Sequence, residues 1–292
     1  MTQTLVQAWK SARDRLTAAG LDSPVIDARL LLEAATGSDR TDILTDPHRP
    51  LTAEQAEVLD TYVERRILRE PVSLILGRKG FWNIMLRVTP DVLTPRPDTE
   101  ALVDVCLKAF PPGRAFQMLD LGVGSGALLL AILAERPAAK GLGIDISDEA
   151  LAVARDNAAQ LGLETRAAFL RGDWTSLLGD ESFDLVVSNP PYIPSGDIAS
   201  LDPEVRDHEP LHALDGGPDG LDAYRILAPE ILRVLRPGGL AVLEVGYDQA
   251  AAVRALMEAA GAVDLAVSRD YGGRERVVAC RKKSLGNTGP IR

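Results

Sequence analysis

The chain has 292 residues, of which 46% are hydrophobic and 25% charged, enough for one large α/β domain and a smaller one. Its formal charge of −10 argues against a protein that lives on bulk nucleic acid, because displacing condensed counterions requires a basic face. No apolar run reaches the length of about eighteen residues that a membrane helix needs, and the first residues lack a signal-peptide core, so a cytoplasmic protein is expected.

Two cysteines, Cys106 and Cys280, lie far apart and give no disulfide framework. The three histidines, His48, His208 and His212, lack the spacing of a metal site, and no metal is expected.

From Thr4 to about Arg69, apolar residues recur at three-to-four spacing, as in Val25, Ile26, Ala28, Leu30, Leu31 and Leu32. Breaks at 20–24 and 46–50 divide the run into a small bundle of about four helices. Alternating Phe81, Ile84, Leu86 and Val88 predict a β-hairpin next. The expected domains are a helical one over 1–75, a hairpin linker over 76–95, an α/β domain over 96–283, and a polar, disordered tail over 284–292.

Beyond Phe116, short apolar runs alternate with helical stretches, the pattern of a doubly wound α/β fold. Strands are predicted over 116–121, 141–146, 166–172, 183–188, 240–245, 262–268 and 274–281, the last two antiparallel. Helices are predicted over 98–109, 126–135, 148–161, 222–235 and 247–259. Arg236-Pro237-Gly238-Gly239 reads as a turn leading into its strand.

The first of these strands ends in Gly122-Val123-Gly124-Ser125-Gly126, followed at once by a helix. Alternate glycines let the backbone turn tightly and approach a ligand where side chains would collide. A dinucleotide loop has its third glycine one residue later, leaving the helix N-terminus to the pyrophosphate. Asp145, at the tip of the second strand about twenty residues on, is placed to accept hydrogen bonds from ribose hydroxyls. At the third tip stand Asp173 and Trp174, an acid for an adenine amino group and an indole for the purine face. These features predict an adenosyl ligand, with NAD and S-adenosylmethionine both open at this point.

The fourth strand runs into Asn189-Pro190-Pro191-Tyr192. The prolines fix a rigid extended turn and remove two N–H donors, leaving the Asn189 side-chain oxygen and the Pro190 carbonyl as acceptors. Two fixed acceptors can hold both hydrogens of a planar –NH2 group and set its nitrogen in line with a sulfonium methyl. Tyr192 offers an aromatic wall. The motif selects S-adenosylmethionine.

This tetrad resembles that of methyltransferases acting on planar nitrogens, and the remainder of the chain is similar to one group of them, the HemK/PrmC family. The resemblance covers nearly the whole chain. It is carried by Leu93-Thr94-Pro95-Arg96-Pro97-Asp98-Thr99-Glu100, by Glu209-Pro210-Leu211-His212-Ala213-Leu214-Asp215-Gly216-Gly217-Pro218-Asp219-Gly220-Leu221, by Glu244-Val245-Gly246 and by 270–278. It implies a Rossmann-like class I methyltransferase sheet of seven strands behind an N-terminal substrate-recognition bundle. It also implies transfer of a methyl group to the glutamine of a Gly-Gly-Gln tripeptide in class I peptide chain release factors. The implied cofactor contacts are Gly122, Val123, Gly124, Ser125, Gly126, Asp145, Trp174 and Asn189; the implied glutamine contacts are Asn189, Pro190, Pro191 and Tyr192. Val123 stands where threonine is usual, and Ser73-Leu74 where Gln-Tyr is common. The alternative enzyme reading is adenine-N6 methylation of DNA, disfavoured by the acidic charge and the lack of a basic recognition domain.

Overall fold

Helix caps punctuate the first part of the chain. Thr52 Oγ1 accepts from Gln55 N at 3.1 Å while the Gln55 side chain accepts from Thr52 N at 3.0 Å, a reciprocal box that starts a helix. The structure, a computed structural model, describes residues 3–284. It forms two compact units, one running up to Arg78 with the added segment Asp202–His208, the other comprising Lys79–Leu201 and the chain from Glu209. The expected tail, beyond Ser284, lies outside the described residues.

The first unit contains α1 (Leu5–Ala18), α2 (Pro24–Thr36), α3 (Arg40–Thr45), α4 (Ala53–Ile67) and α5 (Val72–Leu76), one helix more than the periodicity suggested because α5 is a single short turn. Leu5, Leu16, Leu31, Leu32, Leu59 and Val63 make its core. The departure Ser73-Leu74 falls in α5, where Leu74 is buried. A buried Arg66 is paired rather than stranded: its guanidinium lies 2.8 Å from Asp27 and 3.1 Å from Glu204, which Arg69 also reaches at 3.3 Å. Glu204 belongs to the one-turn helix Pro203–Arg206, so these pairs hold the added segment on the bundle.

The second unit begins at Lys79, one residue into the hairpin of β1 (Arg78–Phe81) and β2 (Ile84–Arg87). Its tight turn places Trp82 at φ 52°, and the indole N–H donates to Glu135 at 2.9 Å. There follow α6 (Glu100–Ala109), β3 (Gln117–Leu121), α7 (Ala127–Glu135), β4 (Lys140–Asp145), α8 (Asp148–Gln160), β5 (Ala167–Arg171) and β6 (Phe183–Ser188). After α9, the turn Pro203–Arg206, come α10 (Asp222–Val234), β7 (Leu235–Glu244), α11 (Ala250–Ala259), β8 (Ala262–Arg269) and β9 (Glu275–Lys282).

The sheet order is β5-β4-β3-β6-β7-β9-β8. β9 inserts antiparallel between β7 and β8, and the remaining pairs are parallel. This is the seven-stranded Rossmann-like sheet expected. The predicted turn at 236–239 lies inside β7 instead. Leu235 is fully buried and pairs with Phe183, and the register shifts before Leu240 pairs with Leu185, so burial draws the Pro-Gly-Gly segment into the ladder as a bulge. α6, α7 and α8 cover one face of the sheet and α10 and α11 the other. α7 is buried from Leu128 to Leu133, which is why its sequence is apolar all round. The carboxyl ends of β3, β4, β5 and β6 therefore open on one edge, where such sheets bind ligands.

Candidate active site

The loop after β3 is shaped by backbone geometry. Gly124 (φ 51°) points its N–H at Asp145 Oδ2, 2.9 Å away. At Gly126 (φ 85°) a Cβ would come within 2.9 Å of Leu130, so only glycine lets α7 start there. Gly122 N and Val123 N both donate to the Ile144 carbonyl at 2.9 Å, tying the loop to β4. The Val123 side chain is buried against Gly143, so the departure from threonine serves packing.

Asp145 is almost fully buried. Its other oxygen accepts from Ser147 N at 3.0 Å, and each carboxylate oxygen keeps a further lone pair for a ligand. Trp174, at φ 51°, is half-buried beside Gly122, and Asp173 is exposed.

A cavity of about 270 Å³ gathers Gly122, Val123, Gly124, Ser125, Asp145, Asp173, Trp174, Asn189 and Pro191. Gly126, Pro190 and Tyr192 stand behind this lining. Pro190 is buried, and Tyr192 packs its ring on the sheet core under α10. Burial pushes the Tyr192 phenol up to about 12. The Tyr192 carbonyl accepts from Gln249 Nε2 at 2.9 Å. A Cβ at Gly220 would sit 2.3 Å from that same carbonyl, and one at Gly216 2.8 Å from the Pro191 carbonyl. The glycine-rich segment thus lies directly on the tetrad's backbone and fixes its turn.

Three further residues enter the site. Asp120, at the end of β3, lines the cavity and is 1% exposed. Its Oδ2 accepts from Leu129 N at 3.1 Å, while Oδ1 has no partner among the described residues. Burial, with Asp145 nearby, pushes this carboxyl up to about 8. Thr99 accepts from Asn189 Nδ2 at 3.4 Å, and Arg96 pairs with the buried Glu209 at 2.8 Å. A charged residue within a largely apolar strand was the available sign for Asp120; the other two lie in the segment 93–100 that carries the family resemblance, and their contacts with Glu209 and Asn189 come only with the fold. Among the described residues no cluster could hold a metal ion, and no helix is long and apolar enough to cross a membrane.

Comparison with known proteins bears on this geometry. Residues 7–77 match the model of the PrmC N-terminal domain, and 113–275 that of a methyltransferase domain. The release factor glutamine methyltransferase of Caulobacter vibrioides is 66% identical over 285 residues, 98% of this chain and 99% of that protein. The chain belongs to the release factor glutamine methyltransferase family. The Rhodospirillum rubrum member is 48% identical over 95% of this chain and 85% of its own length. A methyltransferase structure from Pyrococcus furiosus aligns with a TM-score of 0.52 over 77% of this chain and 99% of that one, and at 16% identity it speaks to the fold alone.

S-adenosylmethionine is the cofactor of this family, and the residues present fit it. The unpartnered Asp120 oxygen suits an ammonium group, Asp145 has acceptors for ribose hydroxyls, and Trp174 offers a flat apolar face. The Asp120 fit has a measurable consequence. A carboxyl that titrates at about 8 in the free protein is mostly protonated at neutral pH, and a cation beside it lowers that value. Cofactor binding near pH 7 should therefore release a large fraction of one proton. Calorimetry in buffers of different ionisation enthalpy reads this release, which should vanish in Asp120→Asn. Equal enthalpies in all buffers for the wild type would reject the contact.

Proposed function

We propose that this enzyme transfers the methyl group of S-adenosylmethionine to the side-chain amide nitrogen of the glutamine in the Gly-Gly-Gln motif of class I peptide chain release factors. The observation that carries the reading is the meeting of Asn189 and Pro191 with the glycine loop and Asp145 in one cavity. When bound, the cofactor supplies an electrophilic methyl on a sulfonium centre.

The protein's part is positional. Asn189 turns its –NH2 toward Thr99, which leaves Oδ1 as an acceptor for one amide hydrogen of the substrate. The Pro190 carbonyl takes the other. An amide nitrogen is a weak nucleophile because its lone pair is delocalised, and holding both hydrogens favours the pyramidal geometry of attack. Gly122, Val123, Gly124 and Ser125 would present backbone to the methionine end, with Gly126 behind them, Asp145 would take the ribose and Trp174 the adenine. Pro191 completes the wall around the glutamine, with the Tyr192 ring behind it in the core rather than on the wall itself.

We infer that residues 1–75 recognise the body of the release factor, and that the enzyme works in the cytoplasm, where release factors act. Val25, Ile26 and Leu44 are more than half exposed and border a groove floored by Trp9 and Ile43, an apolar surface suited to a protein partner. Replacing Ile26 and Leu44 together by Asp should lower kcat/KM on intact release factor by about tenfold or more. Activity on a short Gly-Gly-Gln peptide should barely change, since a peptide does not reach the bundle. Equal losses on both substrates would remove the recognition role.

The function itself is tested with isotope-labelled methyl donor, an intact release factor and duplex DNA offered side by side. Label is expected in the release factor and not in adenine. The reverse result would favour the DNA reading.

A further inference from the structure

Pro95 and Pro97 flank Arg96, and a residue that precedes proline is held extended. Arg96 accordingly sits at φ −99° and ψ 145°, opening the single 3-10 turn Pro97–Thr99. Neither proline has an N–H, which leaves the guanidinium the strongest donor of this stretch. Its Nη2 donates to Glu209 Oε2 at 2.8 Å. The Glu209 side chain is 1% exposed against 39% for that of Arg96, so the carboxylate is a buried anchor for a guanidinium that stays accessible. The remaining guanidinium N–H groups have no partner among the described residues. Arg96 lines the same cavity as Thr99, Asn189, Pro191 and Pro210. The Thr99 N–H donates to the Arg96 carbonyl at 3.2 Å, so Arg96 stands one turn from the residue bonded to the Asn189 amide.

We propose that Arg96 is a specificity-determining residue that binds main-chain carbonyl oxygens of the substrate peptide beside the glutamine. The inference rests on the proposed function and deepens it. Asn189 Oδ1 and the Pro190 carbonyl are acceptors and serve the amide hydrogens. The peptide's own carbonyls need donors, and its two glycines, lacking Cβ, let the main chain come close and offer nothing else to hold. The charges favour a neutral carbonyl over the methionine carboxylate of the cofactor. Asp91, Asp120, Asp145 and Asp173 line the cavity, and acids suit a cofactor of net positive charge. Among the described residues Arg96 is the one Arg or Lys in that lining, and the buried Glu209 already neutralises it. A neutralised pair has no surplus charge for a carboxylate, but it keeps a planar fork of donors for an uncharged oxygen.

Steady-state kinetics on a short Gly-Gly-Gln peptide and on intact release factor test this. Arg96→Gln should raise KM about tenfold or more on both substrates, with kcat within about threefold of the wild type. A loss on both sets Arg96 apart from the exposed bundle residues, whose replacement affects the intact factor alone. Calorimetric titration should give an S-adenosylmethionine affinity within about twofold of the wild type. Esters in place of the two amide links of the tripeptide, each in turn, make its carbonyls poorer acceptors. The wild type should show a KM raised severalfold by at least one of these esters, and Arg96→Gln should be indifferent to both.

Stability separates this role from a structural one. Removing Arg96 alone leaves a buried carboxylate without its partner, which destabilises the fold. The paired variant R96M/E209M removes both charges and fills similar volume with apolar side chains, an exchange that preserves stability. It should melt close to the wild type and still show the raised KM, whereas a purely structural pair would recover its kinetics with its stability. A wild-type KM in R96M/E209M, cofactor affinity lost in step with KM, or an equal ester penalty with and without Arg96 would each overturn the proposal. Wild-type enzyme inactive on the Gly-Gly-Gln glutamine is a different result, and it would overturn the proposed function together with this inference.

Discussion

Asn189→Ala should bind S-adenosylmethionine within about twofold of the wild type and transfer methyl groups at least about a hundredfold more slowly. The side chain sits half-buried at the end of β6, bonded to Thr99 and to no part of the glycine loop. Its loss leaves the loop's anchors on Asp145 and Ile144 untouched. What disappears is one of two acceptors for the substrate amide, an interaction that strengthens as the nitrogen becomes positively charged. Cofactor titration beside single-turnover rates separates the two effects. Parallel loss of binding and rate would make Asn189 a structural residue.

The second large effect is expected at Asp145. Asp145→Ala should weaken cofactor affinity by about a hundredfold or more, because the two charge-assisted hydrogen bonds to the ribose contribute roughly 1.5–3 kcal/mol each. Two routes lead to the loss. The ribose hydroxyls lose their acceptor, and Gly124 N loses the partner that sets the loop's shape. Asp145→Asn can keep an acceptor for Gly124 N while weakening the ribose contact, so its affinity should fall between the other two. Affinity for Asp145→Ala within about twofold of the wild type, with the fold intact by circular dichroism, would reject the ribose assignment.

Residues adjacent in the chain were the legible ones. The glycine loop, the acid ending β4 and the Asn-Pro-Pro-Tyr turn each act within a few residues, so backbone chemistry alone marks them. Asp120, Thr99 and Arg96 depend on neighbours brought by the fold: β3 and β6 run side by side, Thr99 and Asn189 are ninety positions apart, and Arg96 and Glu209 are 113 apart. The same holds for the segment Asp202–His208. Its Glu204 finds Arg66 and Arg69 on the first unit, and nothing in its local pattern announces that. Local turn chemistry also misled at 236–239, where Pro-Gly-Gly signals a turn but the buried Leu235 draws the segment into β7. The polar character of 209–221 gave no sign, apart from the family resemblance, that two of its glycines lie against the tetrad's backbone.

The most direct test of the central claim is peptide mapping by mass spectrometry of a class I release factor incubated with this enzyme and S-adenosylmethionine. A mass increase of one methyl group is predicted on the tripeptide glutamine, on its side-chain nitrogen, appearing at least about a hundredfold more slowly with Asn189→Ala. A methyl group on any other residue, or an unmodified tripeptide under conditions where the cofactor binds, would contradict it.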